Sequence, residues 1–403
     1  MDLLNLRHLH VFNVVAVTGG VRRSSDTLLR ASSAVARSVA ALEQALNTQL
    51  FERKGRGMLL TGAGEAVRLR VDRIEGELRE VRDDALRLRE RTGSQVASLD
   101  ALFNERRLQA AVLLADTHHM PSVARLMNVS PSAVSQSISL LEGILGQPLF
   151  FRTAHGMLPT DAGRRWSERF ERALAELRHI PADIAALDGI VQGTVTVGAL
   201  PLARSLLLPA AVARVLEKHP RLQIRSLESP YEELAAGLMS GRIDFIVGAM
   251  RAFSTDTFDS RPLFADSAAL IARSGHPLAR KKKIAYADLE GYPWVLSRAG
   301  TPLRESIEQF FLDSGHPVPR AAVETGDLAL LRGVLVSSNM LTVISAYQLH
   351  HEIAGGQLTT LPFAMAGMER KIGITQRKGA HLSPGAAALA REIEAVAPDW
   401  QRP

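Results

Sequence analysis

Two short runs of small polar residues, 99 positions apart, are the parts of this chain best suited to make directional hydrogen bonds. The first holds Ser32, Ser33, Arg37 and Ser38. The second holds Ser130, Pro131, Ser132, Ser135, Gln136 and Ser139. On the exposed N-terminal face of a helix, such side chains can enter a major groove. There none is bulky and each can donate or accept, with Gln136 best suited to adenine, while Arg37 is expected to add backbone affinity evenly across sequences. Pro131 differs in kind: it suits the first position of a helix that Ser130 caps. Cations follow each run, Arg53, Lys54 and Arg56 after the first and Arg152 after the second, placed for phosphate oxygens. From Arg22 to Arg56 there are seven basic and three acidic residues, a local excess of +4.

These residues need a scaffold, and the chain carries it twice. Residues 33–64 (SAVARSVAALEQALNTQLFERKGRGMLLTGAG) return without a gap as residues 132–163 (SAVSQSISLLEGILGQPLFFRTAHGMLPTDAG). Such a match marks an internal duplication. Leu42-Glu43 matches Leu141-Glu142, and Leu50-Phe51-x-Arg53 matches Leu149-Phe150-x-Arg152. Gly57-Met58-Leu59 matches Gly156-Met157-Leu158, and Thr61-x-Ala63-Gly64 matches Thr160-x-Ala162-Gly163. Ahead of the match, Leu6, Leu9, Phe12 and Ala16 recur at helical spacing until Gly19-Gly20. A second helix fits residues 22–29. A third fits 32–46, with an apolar stripe of Val35, Val39, Leu42 and Leu46 that copy two repeats as Val134, Ile138, Leu141 and Leu145. This is a helix-turn-helix pattern, and residues 50–59 read as a two-stranded wing.

Each copy feeds a long charged helix. Residues 65–91 hold Val67, Ile74, Leu78, Val81 and Leu88, and residues 164–187 hold Trp166, Phe170, Leu174, Leu177, Ile184 and Leu187. An apolar stripe amid dense charge asks for a partner helix, most simply the same helix of a second subunit, giving a homodimer or homotetramer. Residues 93–98 read as a short linker.

Composition sets the outer bounds. A chain of 403 residues has room for two or three domains. No apolar run approaches the roughly 18 residues of a membrane span, and the N-terminus lacks a secretory pattern. A cytoplasmic protein is expected. The absence of cysteine excludes disulfides, thiolate zinc sites and cysteine nucleophiles. Catalytic signals are thin. Gly62-x-Gly64 lacks the third glycine of a dinucleotide loop, and no phosphate-cradling glycine-lysine loop occurs. His118-His119 and His350-His351 are adjacent pairs, poorly disposed to chelate one metal. No enzymatic activity, cofactor or metal is expected.

From Gly193 onward, β-rich runs at residues 194–197, 222–227, 243–247, 294–296, 321–324 and 341–344 alternate with helical stretches at 204–218, 231–240, 303–314 and 328–337. Alternation of this kind predicts an α/β domain of mostly parallel strands.

The runs LRHLHVFNVVAVTGG, SSAVARSVAALEQAL and LFERKGRGMLLTGAGE resemble the N-terminal winged helix-turn-helix of LysR-type transcriptional regulators, and ARLMNVSPSAVSQSISLLE with LFFRTAHGMLPTDAG resembles it again. GTVTVGALPLARSLLLPAAVARVLEKHP, LAAGLMSGRIDFIVGA, PLFADSAALIARSGHPLA and YPWVL resemble that family's effector domain. The resemblance implies a multidomain architecture. Two all-α winged helix-turn-helix modules (1–64 and 99–163) each carry a linker or dimerisation helix (65–98 and 164–188). An α/β effector domain (189–403) follows, like a periplasmic binding protein, with two subdomains. It further implies that the third helix of a module reads bases of duplex DNA, that the wing grips the backbone and that a small molecule sits in the cleft. Chain crossings are expected near Ala265-Asp266 and Leu361, with residues 371–396 returning to the first subdomain.

Ligands in such sheets bind at strand C-terminal ends, where helix N-termini present free N–H groups. Those positions are Leu200 to Ser205, Ser229 to Tyr231, Arg298 to Thr301, Thr325 to Asp327 and Ser338-Asn339. Arg204 and Arg298 are candidates to grip a carboxylate, so the expected effector is an organic anion such as a sugar acid or aromatic acid. Copy one departs from the family pattern at its turn, Leu29-Arg30-Ala31, and adds charge at Arg22-Arg23. It is expected to supply mainly backbone affinity, while copy two reads bases. The competing class is a ligand-binding or enzymatic α/β protein whose N-terminal modules serve only assembly.

Overall fold

Asn5 starts the first helix: its side chain accepts hydrogen bonds from the N–H groups of Arg7 and His8, and α1 runs Leu6–Thr18. Gly19 ends it in the left-handed region at φ 76°. Helices α2 (Val21–Leu28) and α3 (Ser32–Leu46) follow, then an antiparallel wing of β1 (Phe51–Lys54) and β2 (Gly57–Leu60) and the long helix α4 (Gly62–Thr92). The second copy repeats the plan as α5 (Glu105–Thr117), α6 (Met120–Met127), α7 (Pro131–Leu145), a wing of β3 (Phe150–Thr153) and β4 (Gly156–Pro159), and α8 (Asp161–Leu187). This computed structural model describes residues 4–54, 57–92, 98–154, 156–251 and 256–400. Arg56 and most of the expected linker at 93–98 lie outside the described residues, as do the side chains of Arg53 and Lys54.

The residues that recur identically in the two copies hold each module together. Glu43 Oε1 accepts from the backbone N–H of Leu50 at 2.8 Å and of Phe51 at 3.3 Å, tying α3 to the wing. Glu142 does the same for Leu149 and Phe150 at 2.8 and 3.2 Å. Gly64 and Gly163 must lack a side chain, because a Cβ would sit 2.2 Å from the Leu50 carbonyl oxygen and 2.0 Å from that of Leu149. The turn between the second and third helices differs. Leu29 occupies the left-handed region at φ 50°, where copy two has Asn128 at φ 53°. Asparagine tolerates that conformation and leucine does not, so copy one holds a strained turn.

Helices α4 and α8 lie antiparallel along one another. Arg70 bonds to Asp183, Arg169 to Glu77 and Trp166 Nε1 to Asp84, so the N-terminal part of one helix meets the C-terminal part of the other. Val67, Ile74, Leu78 and Val81 are buried in one core with Trp166, Phe170, Leu174 and Leu177. Most of each stripe is therefore filled within one chain, while Leu187 at the end of α8 stays exposed. This corrects the expectation that each needs a second subunit: the duplication supplies the partner helix in the same polypeptide.

The C-terminal half contains β5 (Gly193–Ala199), α9 (Pro201–Ser205), α10 (Leu207–Lys218), β6 (Leu222–Leu227), α11 (Tyr231–Ser240), β7 (Phe245–Ala249) and β8 (Phe258–Arg273). It continues with β9 (Trp294–Leu296), α12 (Pro302–Asp313), β10 (Ala321–Glu324), α13 (Leu328–Ser337), β11 (Thr342–Ser345), α14 (His350–Ala354), β12 (Leu358–Thr360), β13 (Glu369–Arg377) and α15 (Pro384–Val396). Two subdomains have separate cores, one including Val195, Val197, Phe245, Ile374 and Leu389, the other Leu270, Trp294, Leu296, Ile307 and Val343. Strands β5, β6 and β7 are parallel, as are β9 and β10. Strands β8, β11, β12 and β13 pair antiparallel, so the expectation of mostly parallel strands holds only for the core of each subdomain.

Three finer expectations are corrected. The 16-residue β8 crosses both subdomains and escaped the strand list, because its first half, FDSRP, is polar and interrupted by proline. The return crossing is made by β13 around Arg370–Ile372, which pairs with β8 at Asp266 and Phe264. Leu361 instead packs in the second subdomain, its N–H donating to the Leu270 carbonyl. Finally, the helix expected from Arg204 is broken at Leu206, where φ is −141°.

Candidate functional site

The exposed faces of α3 and α7 are the first candidate site. Val35, Val39 and Leu42 anchor α3, and Val134, Ile138 and Leu141 anchor α7. Opposite those anchors, Ser33, Ala36, Arg37 and Ala40 are exposed in copy one, and Ser132, Ser135, Gln136 and Ser139 in copy two. Ser32 and Ser38 are half-buried, and Ser32 donates to Ser25 Oγ at 3.0 Å, so they face the module rather than solvent. Ser130 caps α7, accepting from the Ala133 N–H at 3.2 Å, with Pro131 in the first turn. These two residues fix the start of α7 and so its exposed face, and Ser132 leans on Ser130 at 2.9 Å. Arg152 is exposed on β3. Each wing is fastened to its own module by a backbone bond at the same place, Met58 N–H to the Gly19 carbonyl and Met157 N–H to that of His118.

The second candidate is the cleft between the α/β subdomains. Strand direction brings Leu200, Arg204 and Ser205 after β5, Ser229 after β6, Arg298 and Thr301 after β9, and Thr325 after β10 to the ends nearest the crossing strands. Ser205 Oγ is buried without a hydrogen-bond partner among the described residues. The exposed Arg298 lies beside the 325–327 turn, its Nε 3.8 Å from where a Cβ on Gly326 would stand. Thr325 Oγ1 accepts from the Asp327 N–H at 3.0 Å, and Thr301 Oγ1 donates to the Arg298 carbonyl at 2.7 Å, which shapes both loops. Asn339 does not join them. It precedes β11, whose start pairs with Ile271 at the far end of β8, and its side chain accepts from Arg273 Nε at 2.9 Å. At the crossing itself, buried Asp266 accepts from Ser345 Oγ at 2.6 Å and from Arg370 Nε at 2.9 Å, pinning β8, β11 and β13 together. Sequence reasoning marked Asp266 as a crossing but not as this junction.

A third feature joins the halves. The buried Arg70 of α4 donates to Glu176 at 2.5 Å, to Asp183 at 2.5 Å and to the His381 carbonyl at 2.9 Å. Arg73 reaches the Gly379 carbonyl at 2.6 Å, and Arg172 of α8 reaches that of Met239 at 2.9 Å. Arg242 returns the contact, meeting Asp116 at 2.8 Å and Glu171 at 3.5 Å. The effector half thus rests on both long helices. Burial at this seam pushes the Glu171 carboxyl up to about 7 against the pull of Arg242, and Asp244 up to about 6, while it lowers His179 to about 4. A raised carboxyl pKa gives stability that is full below the unfolded value and is lost as pH rises through the folded one. Glu171→Gln removes that loss. In urea titrations, the variant should gain on the wild type between pH 5 and pH 8 by up to about 3 kcal/mol. A difference that does not change with pH would contradict the burial of an ionisable group there.

Comparison with known proteins identifies the domains that carry these candidate sites. The model of the bacterial regulatory helix-turn-helix protein, lysR family, matches twice, at residues 6–65 and 106–164, and the LysR substrate binding domain matches residues 189–398. The HTH-type transcriptional regulator GalR of Pseudomonas putida is 41% identical over 398 residues, spanning 98% of each chain. GbpR of Rhizobium radiobacter is 28% identical, covering 62% of this chain and 83% of its own. Among solved structures, CbnR, a LysR family transcriptional regulator, superposes with a TM-score of 0.52 at 19% identity, over 72% of this chain and 99% of its own. A full-length OxyR variant from Pseudomonas aeruginosa gives 0.53 at 22% identity, over 72% of this chain and 94% of its own. CbnR is matched almost whole while more than a quarter of this chain is left over, as an added module requires. The chain belongs to the LysR family of bacterial transcriptional regulators, with its DNA-binding helix-turn-helix domain present twice ahead of one effector-binding domain.

Proposed function

We propose that this regulator touches duplex DNA with the outward faces of α3 and α7 and with its wings, and that a small organic anion in the C-terminal cleft controls it. The observation that supports the DNA contact best is the matched pair of exposed polar faces, Ser33 and Arg37 on α3 and Ser132, Ser135 and Gln136 on α7, each opposite a buried apolar stripe that fixes its helix to the module. Arg53, Lys54, Arg56 and Arg152 supply phosphate contacts from the wings. Regulation proceeds in the cytoplasm and without catalysis, in keeping with relatives named as transcriptional regulators. Any homodimer or homotetramer uses surfaces other than the seam between α4 and α8, which is already filled.

The anion reading rests on Arg204 and Arg298, which follow the C-terminal ends of β5 and β9, with Leu200, Ser205, Ser229, Thr301 and Thr325 also after strand ends. Guanidinium groups there suit a sugar acid or an aromatic acid. Asn339 is not part of that proposal, since it lies at the opposite end of its strand. Calorimetry of the full-length protein against a panel of such acids should find a ligand. Arg298→Ala should weaken it roughly tenfold or more, the loss of one charge-assisted pair. Unchanged affinity in both Arg204→Ala and Arg298→Ala would remove the anion assignment while leaving the cleft in place.

A further inference from the structure

The seam between α4 and α8 has an internal symmetry. Adding 99 to a residue number moves from copy one to copy two, and the ion pairs obey that operation in both directions. Arg73 bonds to Glu176 at 2.7 Å, and the equivalent pair with the copies exchanged, Arg172 to Glu77, measures 2.9 Å. Arg70 bonds to Glu176 at 2.5 Å, and its exchanged equivalent, Arg169 to Glu77, measures 3.0 Å. Two independent pairs that interchange in this way define a two-fold relation between the modules, the isologous pattern of a symmetric dimer. The modules also meet directly. The Leu6 N–H donates to Glu105 Oε2 at 3.2 Å, and these are equivalent positions, so the contact lies where the relating axis passes.

Under the same operation, α3 maps onto α7. A two-fold pair of reading helices is the arrangement that mirrors the dyad of duplex DNA. Their exposed faces are not the same, however. Arg37 stands where copy two has Gln136, Ala36 where it has Ser135, and Ala40 where it has Ser139. All six are exposed.

We infer that a single chain is a built-in dimer that engages both halves of its operator, and that those halves are unlike: the half under α3 carries guanine where the half under α7 carries adenine. The inference rests on the reading of α3 and α7 as base readers. It follows from the chemistry of the equivalent pair, since arginine matches guanine O6 and N7 whereas glutamine matches adenine N6 and N7. It also revises the view of copy one as a backbone clamp, because Arg37 occupies the position equivalent to the best base reader of copy two.

The test is selection of bound duplexes from a random library by the full-length protein, repeated with Arg37→Ala and Gln136→Ala. Both residues are exposed, and neither makes a hydrogen bond or ion pair through its side chain among the described residues. The expected motif is bipartite with unlike halves. Arg37→Ala should relax only the guanine position and Gln136→Ala only the adenine position, each by roughly 10- to 100-fold. On the shortest bipartite duplex that keeps full affinity, native mass measurement should find one chain. An inverted repeat with like halves, two substitutions relaxing the same positions, or two chains each using one module would overturn the inference while leaving DNA binding intact. Absence of enrichment for any duplex would overturn it together with the reading on which it rests.

Discussion

Leu174→Glu with Leu177→Glu should unfold the N-terminal half of the chain rather than dissociate an assembly. Leu174 is 3% and Leu177 1% exposed, and both belong to the core shared by α4, α8 and the two modules. A core leucine cut to alanine costs about 2–5 kcal/mol, and a carboxylate without a partner in the same place costs more. Two such changes approach the whole stability of an ordinary domain, roughly 5–15 kcal/mol. Circular dichroism should show helical signal lost at 25 °C, with DNA binding abolished. If α4 and α8 were instead seams between subunits, the variant would stay helical and run as a smaller particle in sedimentation. A folded variant that differs only in mass would contradict the intramolecular pairing.

The parts of the fold that were legible in the sequence are those where local chemistry fixes the outcome. Apolar spacing in Leu6–Ala16 and Val35–Leu46 marked the module helices, and Gly19 their first stop, because a helix end needs a residue at ease with positive φ. What was not legible was which partner fills a stripe. Leu78 and Leu174 look the same whether they meet a second subunit or their own chain. The signal that separates the cases was present but lay beyond the aligned stretch: Arg70, Arg73, Glu77 and Asp84 recur as Arg169, Arg172, Glu176 and Asp183. These pairs form the seam. The copies are alike where they hold structure, as at Glu43 and Gly64, and unlike on the exposed faces of α3 and α7, as at Arg37 and Gln136. In the α/β half, the residues placed at strand ends followed from strand direction. Asn339 failed because it precedes its strand, and a residue before a strand sits at the end away from the cleft. The return crossing at β13 was displaced from Leu361 because an apolar residue beside a strand looks the same in sequence whether the chain is crossing or still packing.

The largest expected effect is that of salt on DNA binding. Each phosphate neutralised by a basic side chain releases condensed counterions, so affinity falls linearly on logarithmic axes with a slope of about −0.9 per contact. On the proposed reading, two modules and two wings in one chain offer several such contacts. A protein with 6–10 of them loses roughly 10³–10⁵ in affinity between about 50 and 200 mM salt. Arg152→Ala, on the exposed face of β3, should reduce the slope by about one unit and weaken binding evenly across sequences. The direct measurement is a titration of the full-length protein onto a genomic-fragment duplex, repeated from low to physiological salt. A tight complex at low salt that weakens steeply along that series, with a shallower slope for Arg152→Ala, is the predicted result. No duplex binding even at the lowest salt would contradict it, and would leave the two modules with assembly as their only role.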